Sequence, residues 1–560
     1  MSDEQMTPRH VADGYVDRMA ALDPETGLAL GIGAVDDRQP DLTPDGFAAR
    51  EEVARQTLAA LDALPAAAAD APQEAACARL LRERLTARLQ WYEAGEHYRQ
   101  VQNLSSPVHG VRQVLTLSAT RTDEDWALVA GRLRNVPAAL DGYRVTLGEG
   151  IGRGLLAAPR QAEVMREQLA AWTGLDDGGP GWFAGLVAPG PEGMRAELDA
   201  AAARATEAVV AFRAWLGEVY APAAEGTPDA VGRERYRRHA RQATGADLDL
   251  DEAYGWAWAQ FHENLEQMRG EAGRVLPGAS PLEAMGHLNA QGHAITGREN
   301  VRVWLQGIMD EAVGALDGEH FDITGPLRRV ESCLAPPGTA AAPYYMGPSL
   351  DFARPGRTYL PAMGRERFPT WQLVSTWYHE GVPGHHLQIA SWTASAGSLS
   401  RYQVTLGRIS ADVEGWALYA ERLMNDLGYL TDPARRLGYL DKQMLRIIRV
   451  IVDIGMHLEL PIPADSGFHP GERWTPALAE AFMAAHHGSP AGRRSSEIIR
   501  YLGRPGQAIG YKLGERAWLT GREAARRRHG AAFDLKTWHM KALVQGSFGL
   551  DDLADNLASL

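Results

Sequence analysis

The stretch Trp377-Tyr378-His379-Glu380-Gly381-Val382-Pro383-Gly384-His385-His386-Leu387-Gln388 places three histidines and a glutamate within eight residues. Zinc takes imidazole nitrogens readily, and a catalytic zinc site keeps one position for water. A neighbouring glutamate takes the proton of that water as it attacks. In His-Glu-x-x-His the arrangement works because residues four apart share a helix face. Here the residue four after His379 is Pro383. Proline has no N–H to offer the carbonyl four positions before it, and its ring clashes there. Gly384 lowers the strain of the altered turn. His386, seven residues after His379, returns to the same face of a straight helix; His385 reaches that face only if the turn is widened. These residues predict a metal site on His379 with either His385 or His386, and Glu380 as the base. N-cap or core histidines beside a kinked helix are the plainer reading. Three histidines and a glutamate around one Pro-Gly turn outweigh it.

Two histidines are too few for zinc, so a third protein ligand is expected from elsewhere. Glu414 is the first choice, in the helix-like run Ala411 to Leu427, with Asp412 and Glu421 as rivals. Zinc is preferred for a His/His/Glu set with an open position, although non-haem Fe2+ also uses two histidines and a carboxylate.

Met444–Leu460 carries apolar residues on almost every side, which predicts a helix buried nearly all round. Arg446, Arg449, Asp453 and His457 nevertheless recur at spacings of three, four and four, forming one polar stripe on that rod. Buried charges must be paired or used. One reading turns the stripe toward a cleft, with His457 donating to a developing oxyanion, Asp453 orienting it, and Arg449 or Arg446 meeting a substrate carboxylate. The other is an internal salt-bridge network.

Around these motifs the chain reads as mainly α-helical. Apolar residues recur at helical spacing over Ala48–Leu64, Gln73–Tyr98, Asp123–Gly152, Gln161–Thr173 and Pro191–Val219, and again over Asp249–Val275 and Pro281–Ala294. Gly174–Gly193 and Pro222–Gly232 are Gly/Pro-rich loops. Tyr344–Met346 and Arg357–Leu360 are the best strand candidates, giving a small sheet just before the histidines. Residues 1–232 are expected to be a helical N-terminal region and 233–560 a helical catalytic region, packed as one unit. A net charge of −14 with dispersed basic residues argues against nucleic acid or an anionic membrane as partner. Cys77 and Cys333 match no CxxC pattern, which argues against a disulfide framework or a Cys-based metal site. The N-terminal stretch has no apolar core and no window is long and apolar enough to span a bilayer, so a cytoplasmic location is expected.

The string His-Glu-x-x-Pro-Gly-His-His-x-Gln resembles the signature of a bacterial family known as domain of unknown function 885. Further blocks carry the resemblance along the chain. Early come Leu104-Ser105-Ser106-Pro107 and Arg134–Gly152, then Tyr344-Tyr345 and Arg354-Pro355-Gly356 before the histidines. After them follow Glu414-Gly415-Trp416-Ala417-Leu418-Tyr419, Val452-Asp453-Ile454-Gly455-Met456-His457, Pro505-Gly506-Gln507-Ala508, and Trp538-His539 with Gly546. The family looks like a distant relative of the helical gluzincins, such as thimet oligopeptidase and carboxypeptidase Taq. The resemblance implies a large multi-helix zinc peptidase with a deep cleft or channel. It favours His385 over His386, implies Glu414 as ligand on a second helix, and places the phenol of Tyr511 at the tetrahedral intermediate, in a block where Pro505 is read as a helix start. Tyr344 and Tyr345 are expected to line the cleft beside a strand that pairs with an extended peptide.

The expected function is therefore hydrolysis of a peptide or amide bond, with zinc on His379, His385 and Glu414, Glu380 as general base, and His457 and Tyr511 as oxyanion donors. A metal-dependent reaction on a small amide or aminoacyl metabolite uses the same ligands and stays open. So does a non-catalytic metal-bound scaffold, against which the adjacent Glu380 argues. No Gly-x-Ser-x-Gly elbow is present, which argues against a serine hydrolase.

Overall fold

A computed structural model describes residues 6–174, 178–336 and 342–560. Helix accounts for 67% and strand for 4% of the chain, so the protein is mainly α with a small sheet. It divides into two compact units, Met1–Val231 with Leu502–Arg504, and Gly232–Tyr501 with Pro505–Leu560.

The first unit is a set of packed helices, several of whose starts are written in the sequence. Thr7, Thr43 and Thr122 each accept a backbone N–H of the following helix. In the first two a proline occupies the opening position, where its missing N–H costs nothing. The helix expected over Asp123–Gly152 is Asp123–Arg153, and it presents Leu133, Leu140 and Leu147 to Met165, Leu169, Phe212 and Leu216 in the unit's core. The other expected helices lie within a few residues of Pro44–Asp62, Pro72–Glu93, Pro159–Thr173 and Arg195–Trp215. Of the loop expected over Gly174–Gly193, residues 175–177 lie outside the described residues and Trp182–Val187 forms a short helix.

The second unit carries all the strands. β1 (Ala294–Thr296) pairs antiparallel with β5 (Arg367–Pro369). β2 (Val330–Leu334), β4 (Gly356–Leu360) and β3 (Tyr344–Met346) form a second sheet in that order, with β2 parallel and β3 antiparallel to β4. Tyr345 lies opposite Thr358, and β3 is an edge strand. Ser410–Asp426 packs along Gly510–His529, and Pro433–Leu458 along Leu250–Val275. No helix among the described residues is long and apolar enough to cross a membrane.

The first of these pairings needs glycine on both sides. A Cβ on Gly415 would lie 2.4 Å from the carbonyl carbon of Gly514, and one on Gly514 would lie 2.0 Å from the carbonyl oxygen of Ala411. Both neighbours are backbone and cannot swing aside. Gly510–His529 also begins later than Pro505 suggests: Gly506 takes φ +72° and its N–H turns to Asp453, so the helix starts five residues on.

Pro433–Leu458 is longer than its apolar stretch indicated because Asp432 caps it and Pro433 opens it. Every residue from Met444 to His457 is buried. The lower end of its polar stripe is sealed inside the unit. Asp453 Oδ2 accepts the hydroxyl of Tyr236 and the N–H of Gly506, each at 2.9 Å. His457 Nε2 donates to the Tyr501 carbonyl at 3.0 Å, and burial holds its ring neutral, at about 3. This corrects the expectation that Asp453 and His457 serve a cleft: Asp453 Oδ2 and His457 Nε2 are held by neighbouring backbone and a buried tyrosine, and neither residue lines the cavity at His379. Burial also raises Asp453 to about 7, against the lowering effects of Tyr236, Gly506 and Arg500.

Two tests follow from this packing. Gly514→Ala should lower stability by about 1–3 kcal/mol through overpacking against Ala411; an unchanged melting temperature would show that the two helices can move apart freely. For Asp453, a folded pKa near 7 lies above the ordinary carboxyl value, so its protonated form stabilises the fold below pH 4 and that contribution is lost as pH rises through 7. The melting temperature of Asp453→Asn should therefore gain on wild type by about 2–5 °C between pH 5 and pH 8.5. A difference that stays constant over that range would remove the buried-acid account.

Candidate metal centre

The helix Leu373–Glu380 carries His379 and Glu380 on its last turn and stops at Gly381. A second helix, His385–Ala394, begins four residues later. The widened single helix considered above is thus two helices joined by a tight reversal, with a cis Val382–Pro383 peptide within it. Gly384 N–H donates to the Tyr378 carbonyl at 3.0 Å, folding the chain back over the first helix's end. A Cβ on Gly384 would sit 2.0 Å from the His379 carbonyl oxygen, so this position admits glycine alone. The reversal brings the His379 and His385 rings to 4.7 Å between centroids.

Glu414 enters from the second turn of Ser410–Asp426. Its Oε2 lies 3.3 Å from His379 Nε2 and 3.7 Å from His385 Nε2. One ligand atom from each of His379, His385 and Glu414 can be chosen so that all lie within 4.8 Å of one another. Glu414 Oε2 and His385 Nδ1 are buried without a hydrogen-bond partner. Two imidazoles, one carboxylate and orphaned polar atoms among them are a donor set that fits zinc or Fe2+.

Electrostatics separates the members. Burial disfavours a cationic His379, but the neighbouring carboxylates of Glu414 and Glu421 outweigh it and hold the ring up at about 9. Burial also works against an ionised Glu414, yet the two histidines and Arg446 hold it down at about 2. Burial keeps His385 neutral, lowered to about 4. Glu380, beside them and 8% exposed, is raised to about 7 by burial, with Glu414 and Glu421 adding to the rise and His379 and Arg446 opposing it.

The rivals occupy other places. His386 is turned away: its Nε2 donates to the Leu327 carbonyl at 2.8 Å and its Nδ1 accepts the Tyr345 hydroxyl at 3.0 Å. Asp412 accepts the Phe548 N–H at 3.1 Å and the Trp518 indole at 3.2 Å. Glu421 lies behind His379, accepting its Nδ1–H at 2.8 Å and the Ser375 hydroxyl at 2.5 Å, with Arg446 3.7 Å away. A carboxylate in that position fixes the ring's tautomer and leaves Nε2 to a ligand.

The cluster opens on a cavity of about 430 Å³ whose lining includes His379, Glu380, His385, Glu414, Tyr344, Tyr345 and Tyr511. Tyr344 stacks on Tyr359 at 4.8 Å. Arg449 also lines it but is committed: it donates to both oxygens of Glu497 at 3.1 and 3.0 Å and to the Tyr501 hydroxyl at 3.1 Å, and it lies over the Tyr511 ring. The expectation that Arg449 meets a substrate carboxylate is corrected on that ground. Asp453 and His457 do not line the cavity.

Several lining residues escaped the sequence reading. Lys442 extends the polar stripe one turn upstream, and Arg493, Glu497 and Arg500 form a stripe of their own at spacings of four and three on Ala491–Gly503. Both signals are visible in the periodicity; what they face is not.

A crystal structure of a "putative lipoprotein" from Colwellia psychrerythraea matches with a TM-score of 0.83 at 20% identity, covering 99% of each chain. The structure of a "putative lipoprotein of unknown function" from Shewanella oneidensis matches with a TM-score of 0.75 at 17% identity, covering 99% of this chain and 100% of that one. At these identities the likeness is one of fold. No curated protein matches the chain. The family pattern described as "bacterial protein of unknown function (DUF885)" matches residues 24–557, nearly the whole of the chain, and the protein belongs to that family.

Proposed function

We propose that this protein is a metal-dependent hydrolase, with zinc the preferred ion, that cleaves a peptide or other amide bond. The observation that carries the reading is the meeting of His379, His385 and Glu414 beside Glu380 at one cavity. The likeness of the family to the helical gluzincins points the same way. A zinc ion held by these three side chains would polarise a substrate carbonyl and acidify water.

The remaining work falls to the chain. Glu380 takes the proton of the attacking water and passes it to the departing nitrogen. It is available for this because burial and neighbouring charges act on its carboxylate, and among the described residues no hydrogen bond holds it. Glu421 keeps Nδ1 of His379 occupied, so that Nε2 presents its lone pair. Tyr511 supplies a neutral donor to the oxyanion: burial and the nearby Glu414 raise its pKa, so the phenol keeps its proton. His457 takes no part, since its Nε2 proton is held by Tyr501. The edge strand β3, with Tyr344 and Tyr345 at the cavity, suits an extended substrate lying alongside.

Elemental analysis of purified protein should find about one zinc per chain. His385→Ala and Glu414→Ala should lose it and His386→Ala should keep it, while Glu421→Gln should weaken affinity about 10–100-fold. Iron in place of zinc would change the metal; retention of full metal by His385→Ala and Glu414→Ala would remove the site. Glu380→Gln should keep its metal and lose about 10²–10⁴-fold in turnover on a peptide or amide substrate. Undiminished turnover in that variant would rule out Glu380 as the base.

A further inference from the structure

Five cations, Lys442, Arg446, Arg449, Arg493 and Arg500, line the cavity that holds the His/His/Glu cluster. Two of them are answered within the protein. Arg449 is paired with Glu497, and Arg500 donates to Gln507 at 2.6 Å while lying 3.7 Å from Glu497. The other three have no carboxylate of their own. Among the described residues, Lys442 and Arg493 have no carboxylate within 4.0 Å. Arg446 is 9% exposed, its buried Nε has no hydrogen-bond partner, and its nearest carboxylate is Glu421, already held by His379 and Ser375. Asp441, next to Lys442 in sequence, is engaged by His487 and Gln372, each at 2.7 Å.

Unneutralised like charges on one wall are costly. Burial and the repulsion of Arg493 and Arg446 push the Lys442 ammonium down to about 8. Burial lowers Arg493 as well, and Arg449 and Arg446 add to it against the opposing pull of Glu497. A fold that keeps such a cluster on a cavity rather than pairing it internally leaves the pairing to something that enters. A guanidinium fork and an ammonium side by side suit a carboxylate, bound by charge-assisted hydrogen bonds.

We propose that Lys442, Arg446 and Arg493 receive a carboxylate of the substrate, so that the site selects short peptides or amides that carry a free acid. The cleaved bond in this statement rests on the hydrolase reading above; the recognition of the acid does not. The cavity, about 430 Å³, has the size of a pocket for a small ligand and matches a substrate of a few residues. The carboxylate has two possible sources, a chain terminus or an acidic side chain, and these are separable.

The test is calorimetric titration of the full-length Glu380→Gln protein with Ala-Ala-Ala, with its C-terminal amide, and with Ala-Glu-Ala amide. The free acid should bind at least about tenfold more tightly than Ala-Ala-Ala amide. Binding recovered by Ala-Glu-Ala amide would assign the carboxylate to a side chain, and no recovery would assign it to the terminus. Lys442→Met with Arg493→Gln should erase most of the preference, leave metal content unchanged and not lower the melting temperature. Equal binding of acid and amide, no detectable binding of either at millimolar peptide, or a preference that survives the double substitution would overturn the proposal. The hydrolase reading fails separately, through absent metal or absent cleavage, with the acid preference left intact.

Discussion

The indole of Trp416 donates to the carbonyls of both Pro383 and Gly384, at 2.9 and 3.0 Å. Much of the site depends on that shared hydrogen. The two carbonyls belong to the reversal that brings His385 back to His379, and Trp416 is two residues beyond Glu414 on another helix. One side chain therefore holds the histidine turn and the glutamate helix together. Trp416 is fully buried, and its ring packs on Trp518 at 4.8 Å, with Phe321 and His539 nearby. Trp518 lies on Gly510–His529, which approaches Ser410–Asp426 closely because Gly415 and Gly514 face each other. The precision of three ligands from two segments thus derives from ordinary packing of a tryptophan and two glycines, which is what a preorganised site requires.

Around that frame the charges are layered. Nearest the cavity are Glu414 and the two histidines; behind them Glu421 holds His379 and reaches toward Arg446. A buried carboxylate such as Glu421 is tolerable only when its oxygens are used, and here Ser375, His379 and Arg446 use them. The same reasoning explains the two ends of Pro433–Leu458. Its upper polar residues, Lys442, Arg446 and Arg449, line the cavity; its lower ones, Asp453 and His457, close on Tyr236, Gly506 and Tyr501. One helical stripe serves two environments because the elements packed against it change along its length.

That division marks where sequence reasoning stopped. The spacing of Arg446, Arg449, Asp453 and His457 showed a polar stripe on a buried rod, but not that its upper end lines a cavity while its lower end closes inside the unit. Its partners lie far along the chain: His457 meets Tyr501 and Arg449 meets Glu497, more than forty residues away. The choice between His385 and His386 was closed to spacing for the same reason. His386 is drawn off by the Leu327 carbonyl and the Tyr345 hydroxyl, on segments 59 and 41 residues upstream. Glu421 looked like a rival ligand because its residue type and helix are right; only the third dimension places it behind the imidazole. Local signals were also incompletely read. The Asp432-Pro433 start of the long helix follows known capping chemistry but was missed by a reading that began at Met444, and Pro505 looked like a start and is not, because the Gly506 N–H is drawn to Asp453.

The cationic wall and the ligand cluster are linked through one residue. Arg446 lies 3.7 Å from Glu421, which holds His379, and it also lines the cavity beside Lys442. Its charge lowers the pKa of Glu414 and of Glu421. An anion bound against Arg446 would offset part of that charge, and the carboxylates behind the histidines would feel it. Electrostatic coupling across such a short buried path is strong because little water intervenes to screen it. Binding of an acidic group and the basicity of the ligand set are therefore not independent in this architecture. A substrate whose acid reaches Arg446 changes the environment of the residues proposed to act on it, whereas one held by Lys442 and Arg493 alone does so less. The geometry of the wall, and not only its charge, then decides how a bound acid acts on the centre.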